Sequence, residues 1–150
     1  MLLEKNKAIV RRFTEELNKG NIAVMDELFS SNFVHPALQL RGLEAYKQLE
    51  VATRKAFPDL HDTIEEMIAE EDKVCVYAHV TGTHKGEWRI PLPHPNKKAR
   101  LAPTGKKITF SYVGIYRIVD GKIVERKTVY DLMDLYEQLG VIEYKELPKG

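Results

Sequence analysis

Three observations predict an α+β fold, with helices packed against one face of a curved antiparallel sheet. Apolar residues recur at helical spacing up to Pro58 and alternate in strand fashion over most of the chain beyond it. The Asp-Gly pair at Asp120 and Gly121 separates two such alternating runs. Helices first and a meander of strands afterwards is the layered α+β pattern, not that of repeated βαβ units. The 150 residues fit one domain around one core. A strongly bent sheet leaves a pocket between its concave face and the helices, where small-molecule sites are favoured.

From Leu3 to Asn18, the apolar residues Ile9, Val10, Phe13 and Leu17 recur at helical spacing, and Asn18, Lys19, Gly20 and Asn21 supply a stop. Asn21 can cap a second, shorter helix reaching Phe29, with Val24, Met25, Leu28 and Phe29 as its buried stripe. Ser30, Ser31 and Asn32 break the pattern, and Phe33 to His35 read as a short extended piece that Pro36 keeps out of helix. A third helix follows Gly42, carries Leu43, Tyr46, Leu49, Ala52 and Ala56 on one side, and stops before Pro58.

Beyond Pro58 the period becomes two. Leu60 to Ala69 alternates weakly, Glu70 to Asp72 form a polar turn, and Lys73 to His84 is a strand with Val74, Val76, Ala78 and Val80 on one face. A Pro-rich, basic stretch follows, and then Ile108 to Val119 and Lys122 to Tyr130 form a hairpin about the Asp-Gly turn. A last helix runs from Asp131 to Leu139 and ends at Gly140.

With 23 Lys plus Arg against 22 Asp plus Glu, the net charge of +1 supplies no field that would recruit nucleic acid or an anionic membrane. A neutral or mildly charged small ligand is the expected partner. No apolar run approaches the roughly 20 residues of a membrane helix. The opening MLLEKNKAIVRRF carries charges where a signal peptide needs an apolar centre, so the cytoplasm is the expected location. The lone Cys75 sits in an apolar run and reads as a buried packing thiol.

His35, His61, His79, His84 and His94 show no paired ligand spacing, and the acidic residues form no calcium loop, so no metal is expected. Neither a nucleophile elbow, a phosphate-binding glycine loop nor a dinucleotide fingerprint occurs. Cofactor-free chemistry or plain binding is what these absences leave. Alternation from Val124 places Glu125, Lys127, Val129 and Asp131 on one strand face and Arg126, Thr128 and Tyr130 on the other. Asp131 suits a helix N-cap, the reading that residue preferences alone favour, and a pocket carboxylate is the other reading. Small residues around His84 and Trp88 mark a strand end that a ligand could approach. Lys97, Lys98 and Arg100, with Lys106 and Lys107 beyond, read as a solvated basic loop.

Taken in order, FTEELNKGNIAVMDELFSSNFVHP, FPDL, EEDKV, GTHKGEW, PTGKKITF, YRIVDGKIVE and YDLMDLYEQLG resemble the SnoaL-like polyketide (ester) cyclase family, within the nuclear-transport-factor-2-like superfamily. The resemblance spans nearly the whole chain. It implies a cone-shaped α+β barrel around an internal pocket, a homodimer, and intramolecular aldol-type chemistry without metal or organic cofactor. The ligand it implies is small, carbonyl-containing and hydrophobic or aromatic. Asp131 matches the family's catalytic aspartate at the end of the last strand, and His35, His84, Trp88, Tyr112, Arg117 and Lys127 are the expected ligand contacts. The chain departs from the pattern in three places. Lys127 stands where relatives carry an aromatic residue, no histidine lies between Ile108 and Val119, and the loop from Ile90 to Ala102 is long. The other reading is a binding or accessory protein of the same fold, or a related isomerase or epoxide hydrolase.

Overall fold

The first helix, α1 (Leu2–Asn18), turns Val10, Phe13 and Leu17 inward and buries Asn6 and Thr14 with them. The Thr14 hydroxyl is satisfied within the helix, donating to the Val10 carbonyl at 3.1 Å. Gly20, at φ +83°, ends α1 in a left-handed cap, so that the Gly20 amide reaches the Leu17 carbonyl and the Asn21 amide the Glu16 carbonyl. That cap occupies Asn21, whose side chain donates to Glu16 at 2.8 Å and does not cap the next helix as expected; Ala23 starts α2 (Val24–Leu28) instead. The third helix, α3 (Leu43–Ala56), follows Gly42 and halts at Phe57, where Pro58 forbids continuation. This computed structural model describes residues 1–90, 99–143 and 145–149.

The described residues form eight strands, numbered in chain order: β1 (Phe29–His35), β2 (Leu40–Arg41), β3 (His61–Glu70), β4 (Lys73–Thr83), β5 (Trp88–Ile90), β6 (Ala99–Leu101), β7 (Lys107–Val119) and β8 (Lys122–Tyr130). A short helix, α4 (Leu132–Gln138), closes the fold. Six strands form one sheet in the order β2-β1-β8-β7-β4-β3, and β5 and β6 form a separate pair. The meander from β3 to β8 is antiparallel, as its turns require, and Asp120 and Gly121, at φ +50° and +76°, supply the left-handed pair a two-residue hairpin turn needs.

The sheet is mixed, however, where an antiparallel one was expected, because β1 lies parallel to β8. β1 emerges directly from α2, β2 folds back on it as the edge strand, and the chain then enters α3, so β1 is joined to β8 through a crossover that contains a helix and not through a hairpin. It is also longer than its sequence pattern suggested: Phe29, Phe33 and His35 all turn into the core.

Helices and sheet meet in an aromatic core. Phe13 meets Phe29 edge-on at 4.7 Å, Phe29 meets Phe33 at 4.9 Å, and Phe33 stacks on Tyr46 at 5.0 Å. Each buried ring of this kind contributes roughly 1.5–3 kcal/mol through burial and roughly 0.5–1.5 kcal/mol more through ring geometry. Val74, Val76, Ala78 and Val80 of β4 supply the sheet side. Cys75, between two of them, therefore points the other way: it is half-buried on the outer face and not in the core as expected.

Two ladder irregularities bend the sheet. Register shifts between Ile64 and Glu66 on β3, and Val124 is the extra residue of β8 between the pairs Arg117–Glu125 and Ile118–Ile123. Among the described residues no helix is long and apolar enough to cross a membrane. The central part of the long basic loop, with Lys97 and Lys98, lies outside the described residues; Arg100 is an exposed ion-pair partner of Glu87 at 3.5 Å.

Candidate active site

A cavity of about 340 Å³ lies between α1, α3 and the inner face of the sheet. Its walls are largely apolar, with Phe13 and Leu17 from α1, Leu49 from α3, Phe110 from β7, Trp88 from β5 and Leu135 from α4. Into them project Glu50, Arg54, Asp62, Tyr112, Tyr130 and Arg126.

Glu50 and Arg54 are four residues apart on α3, which puts them on one helix face and forms an ion pair at 3.6 Å, each side chain only 15% exposed. Burial raises the Glu50 carboxyl above the ordinary carboxylate range, and the charges of Arg54 and Arg126 offset this only in part. Asp62 is held at three points. Its backbone exchanges two hydrogen bonds with the Asn18 side chain, at 2.8 and 2.9 Å, and its carboxylate accepts the Tyr112 hydroxyl at 3.1 Å. Burial holds the Tyr112 phenol well above its usual range, so it stays a proton-bearing donor.

Arg126 rises from the middle of β8 and is 5% exposed. Its guanidinium lies 5.1 Å from the Tyr112 ring centre and 4.9 Å from that of Tyr116, and Nη1 donates to the Tyr46 hydroxyl. Burial pushes the Tyr116 phenol up to about 12.

Of the residues expected from the sequence, Trp88 and Tyr112 line the cavity. Asp131 does not: it is exposed and N-caps α4, its Oδ1 accepting the Asp134 amide at 3.3 Å. Lys127 is exposed on the same outer face and pairs with Glu125 at 3.7 Å, and Arg117 pairs with Asp72 across the turn at 3.7 Å. The bulge at Val124 is the physical reason. Ile123 faces inward, and unbroken alternation from it would bring Lys127, Val129 and Asp131 inside. The extra residue reverses the phase, so that Arg126 and Thr128 are buried and Tyr130 lines the cavity.

His35 is fully buried behind the cavity wall, 5.5 Å from the Tyr46 ring, with no partner on either ring nitrogen among the described residues. Burial first, and the charge of Arg126 second, lower its pKa to about 3, so it is neutral. His84 is also fully buried and belongs to the frame. Its Nδ1 accepts the Thr104 amide at 3.1 Å, its ring stacks on Phe57 at 5.2 Å, and its backbone bonds to Gly105 and Lys106. This joins the end of β4 to the segment before β7. Gly86 completes the joint, since a Cβ there would lie 2.5 Å from the Lys55 carbonyl oxygen. Trp88, edge-on to Phe57 at 5.4 Å, is thereby fixed as cavity wall.

Glu50, Arg54, Asp62, Tyr130 and Arg126 were not singled out from the sequence. The available signal lay in the alternation itself, which groups Arg126 with Tyr130 opposite Asp131, and in the tyrosines spaced two strand turns apart at Tyr112 and Tyr116.

This architecture agrees with the comparisons to known proteins. The sequence pattern of the SnoaL-like polyketide cyclase family matches residues 8–139. The aklanonic acid methyl ester cyclase DnrD of Streptomyces peucetius is 28% identical over 139 residues, covering 88% of each chain. The enzyme of the same name from Streptomyces galilaeus, AcmA, is 27% identical and covers 89% of each. Among solved structures, AclR of Streptomyces galilaeus, provisionally named a hydroxylase, superposes with a TM-score of 0.77 at 27% identity, covering 94% of this chain and 99% of its own. TsrD of Streptomyces laurentii gives a TM-score of 0.78 at 21% identity, over 93% and 97% of the two chains. Shared sequence pattern and shared architecture over nearly the full length make this chain a member of the SnoaL-like polyketide cyclase family.

Proposed function

We propose that the protein is a cofactor-independent cyclase-type enzyme that closes a ring by intramolecular aldol addition on a carbonyl-bearing, partly aromatic ligand held in the cavity. The observation that carries this is Glu50, a carboxyl raised by burial inside an otherwise apolar cavity and therefore closer to the range in which one group can take and return a proton. Glu50 removes a proton from the carbon next to a carbonyl, the resulting enolate carbon bonds to a second carbonyl carbon of the same molecule, and the new alkoxide takes the proton back. Atoms and electrons balance within the ligand. The Tyr130 side chain, on the sheet wall of the same cavity, donates to the carbonyl oxygen as charge gathers there. The relatives named aklanonic acid methyl ester cyclases support the reaction class.

Asp131, the base implied by resemblance, is the alternative proton carrier, and its exposed position favours a second reading in which the protein binds its ligand without transforming it. One assay separates the three. With an aryl β-keto ester carrying a second carbonyl and a free carboxylate on its ring, Glu50→Gln should lower kcat by about 100-fold or more, and Asp131→Asn should change it less than about threefold. Activity lost in Asp131→Asn and kept in Glu50→Gln would transfer the role to the strand end, and binding without turnover in the wild type would support the second reading.

We also infer a homodimer formed through the outer face of the sheet. Two rows cross four of its strands side by side, Glu66, Tyr77, Val113 and Val129 in one and Ile68, Cys75, Ile115 and Lys127 in the other. They place exposed apolar residues at the centre and opposite charges at diagonal corners, so a two-fold axis can bring each copy's Lys127 to the other's Glu66.

A further inference from the structure

Arg126 is a buried cation for which the fold provides no anion. Glu50 is engaged by Arg54 at 3.6 Å, Asp62 accepts the Tyr112 hydroxyl, and no described carboxylate comes within ion-pairing distance of the Arg126 guanidinium. Tyr46 takes one of its five donors, Tyr112 and Tyr116 offer ring faces, and Nε has no partner. His35, the other buried polar group nearby, carries no negative charge. An uncompensated buried charge costs several kcal/mol. Tyrosine faces soften that cost without supplying a counter-ion.

The rest of the cavity keeps the same sign. Arg54 and Arg126 face Glu50 and Asp62, one of whose carboxyls, Glu50, is held toward its neutral form, and Arg89 lines the cavity as a third cation. Around these charges stand Phe13, Phe110 and Trp88, which suit a flat ring system.

We propose that the natural ligand carries a free carboxylate that docks on Arg126, so that the substrate class is an aromatic or otherwise apolar acid and not its ester. Fork-to-fork geometry between a guanidinium and a carboxylate would use the donors that the protein leaves idle. The proposal rests on the cavity being the ligand site, as in the cyclase-type reading, but not on the reaction performed there.

Calorimetric titration of the full chain with 2-naphthoate and with methyl 2-naphthoate tests it, and because it reads binding alone, failure of the turnover assay leaves it standing. The free acid should bind about 10- to 100-fold more tightly than the ester. Arg126→Met should abolish that preference by weakening the acid and sparing the ester, Arg126→Lys should keep much of it, and Arg117→Met, outside the cavity, should leave it intact. Equal binding of acid and ester, binding of neither, or a preference that survives in Arg126→Met or vanishes in Arg117→Met overturns the proposal. Should Arg126→Met not fold, the acid-to-ester ratio of the wild type and of Arg126→Lys decides.

Discussion

Midway along β7 and β8, each face carries residues of the kind usually found on the other. On the inner face Arg126 and Thr128 are buried beside Tyr112 and Tyr116, with Arg126 Nε and the Thr128 hydroxyl lacking partners among the described residues. On the outer face Val113, Ile115 and Val129 are 42%, 39% and 77% exposed, and the charges among them, Arg117 and Lys127, pair with Asp72 and Glu125. Unsatisfied polar groups inside mark a place that something else completes, and uncovered apolar groups outside mark a place that something else covers.

The largest expected effect contrasts neighbours on one strand. Tyr116→Ala on the inner face should cost about 3–5 kcal/mol, as for other buried aromatic truncations, and Ile115→Ala beside it less than about 1 kcal/mol. Urea unfolding of the two variants gives the comparison, and equal costs would break the inner and outer distinction.

A smaller effect comes from pH. The folded pKa of His35 lies at about 3, below its unfolded value, so the unfolded chain takes up the proton first. Its stabilising contribution is complete above about pH 6.5 and declines as pH falls toward about 3. Between pH 7 and pH 5 the protein should lose about 2 kcal/mol, and His35→Leu should flatten that slope. An unchanged slope in the variant would mean that other groups carry the acid sensitivity.

The smallest effect on stability belongs to the outer face. Ile115→Lys should change monomer stability by no more than about 0.5 kcal/mol yet convert the proposed dimer to a monomer in velocity sedimentation. A wild type that sediments as a monomer at micromolar concentration would remove the second copy from the outer face.

Much of the fold was legible in the sequence because local signals agreed. The helical period of Val10, Phe13 and Leu17, the stop at Gly20 and the Asp120-Gly121 turn each point to one structure, and each is found. The parallel seating of β1 was not legible, since its partner Ile123 is fixed by tertiary packing and nothing near Phe29 encodes it. The site was half legible. Trp88 and Tyr112 stand in it, whereas Glu50 reads locally as one half of a surface pair with Arg54, and only the sheet packed above converts that pair into a buried one. The face of β8 was misassigned because one extra residue is invisible to a period of two.

That extra residue has an evolutionary consequence. Ironing out the bulge at Val124, with every side chain kept, would slide the far half of β8 by one position and send Glu125, Lys127 and Asp131 inward in place of Arg126, Thr128 and Tyr130. A cationic, phenol-rich chamber would become an acidic one. Two chambers of opposite character are thus encoded in a single strand, and the step between them is a one-residue slip of register. A change at the base of this hairpin that decides whether the bulge forms can therefore redirect the chamber's chemistry without touching a residue that lines it.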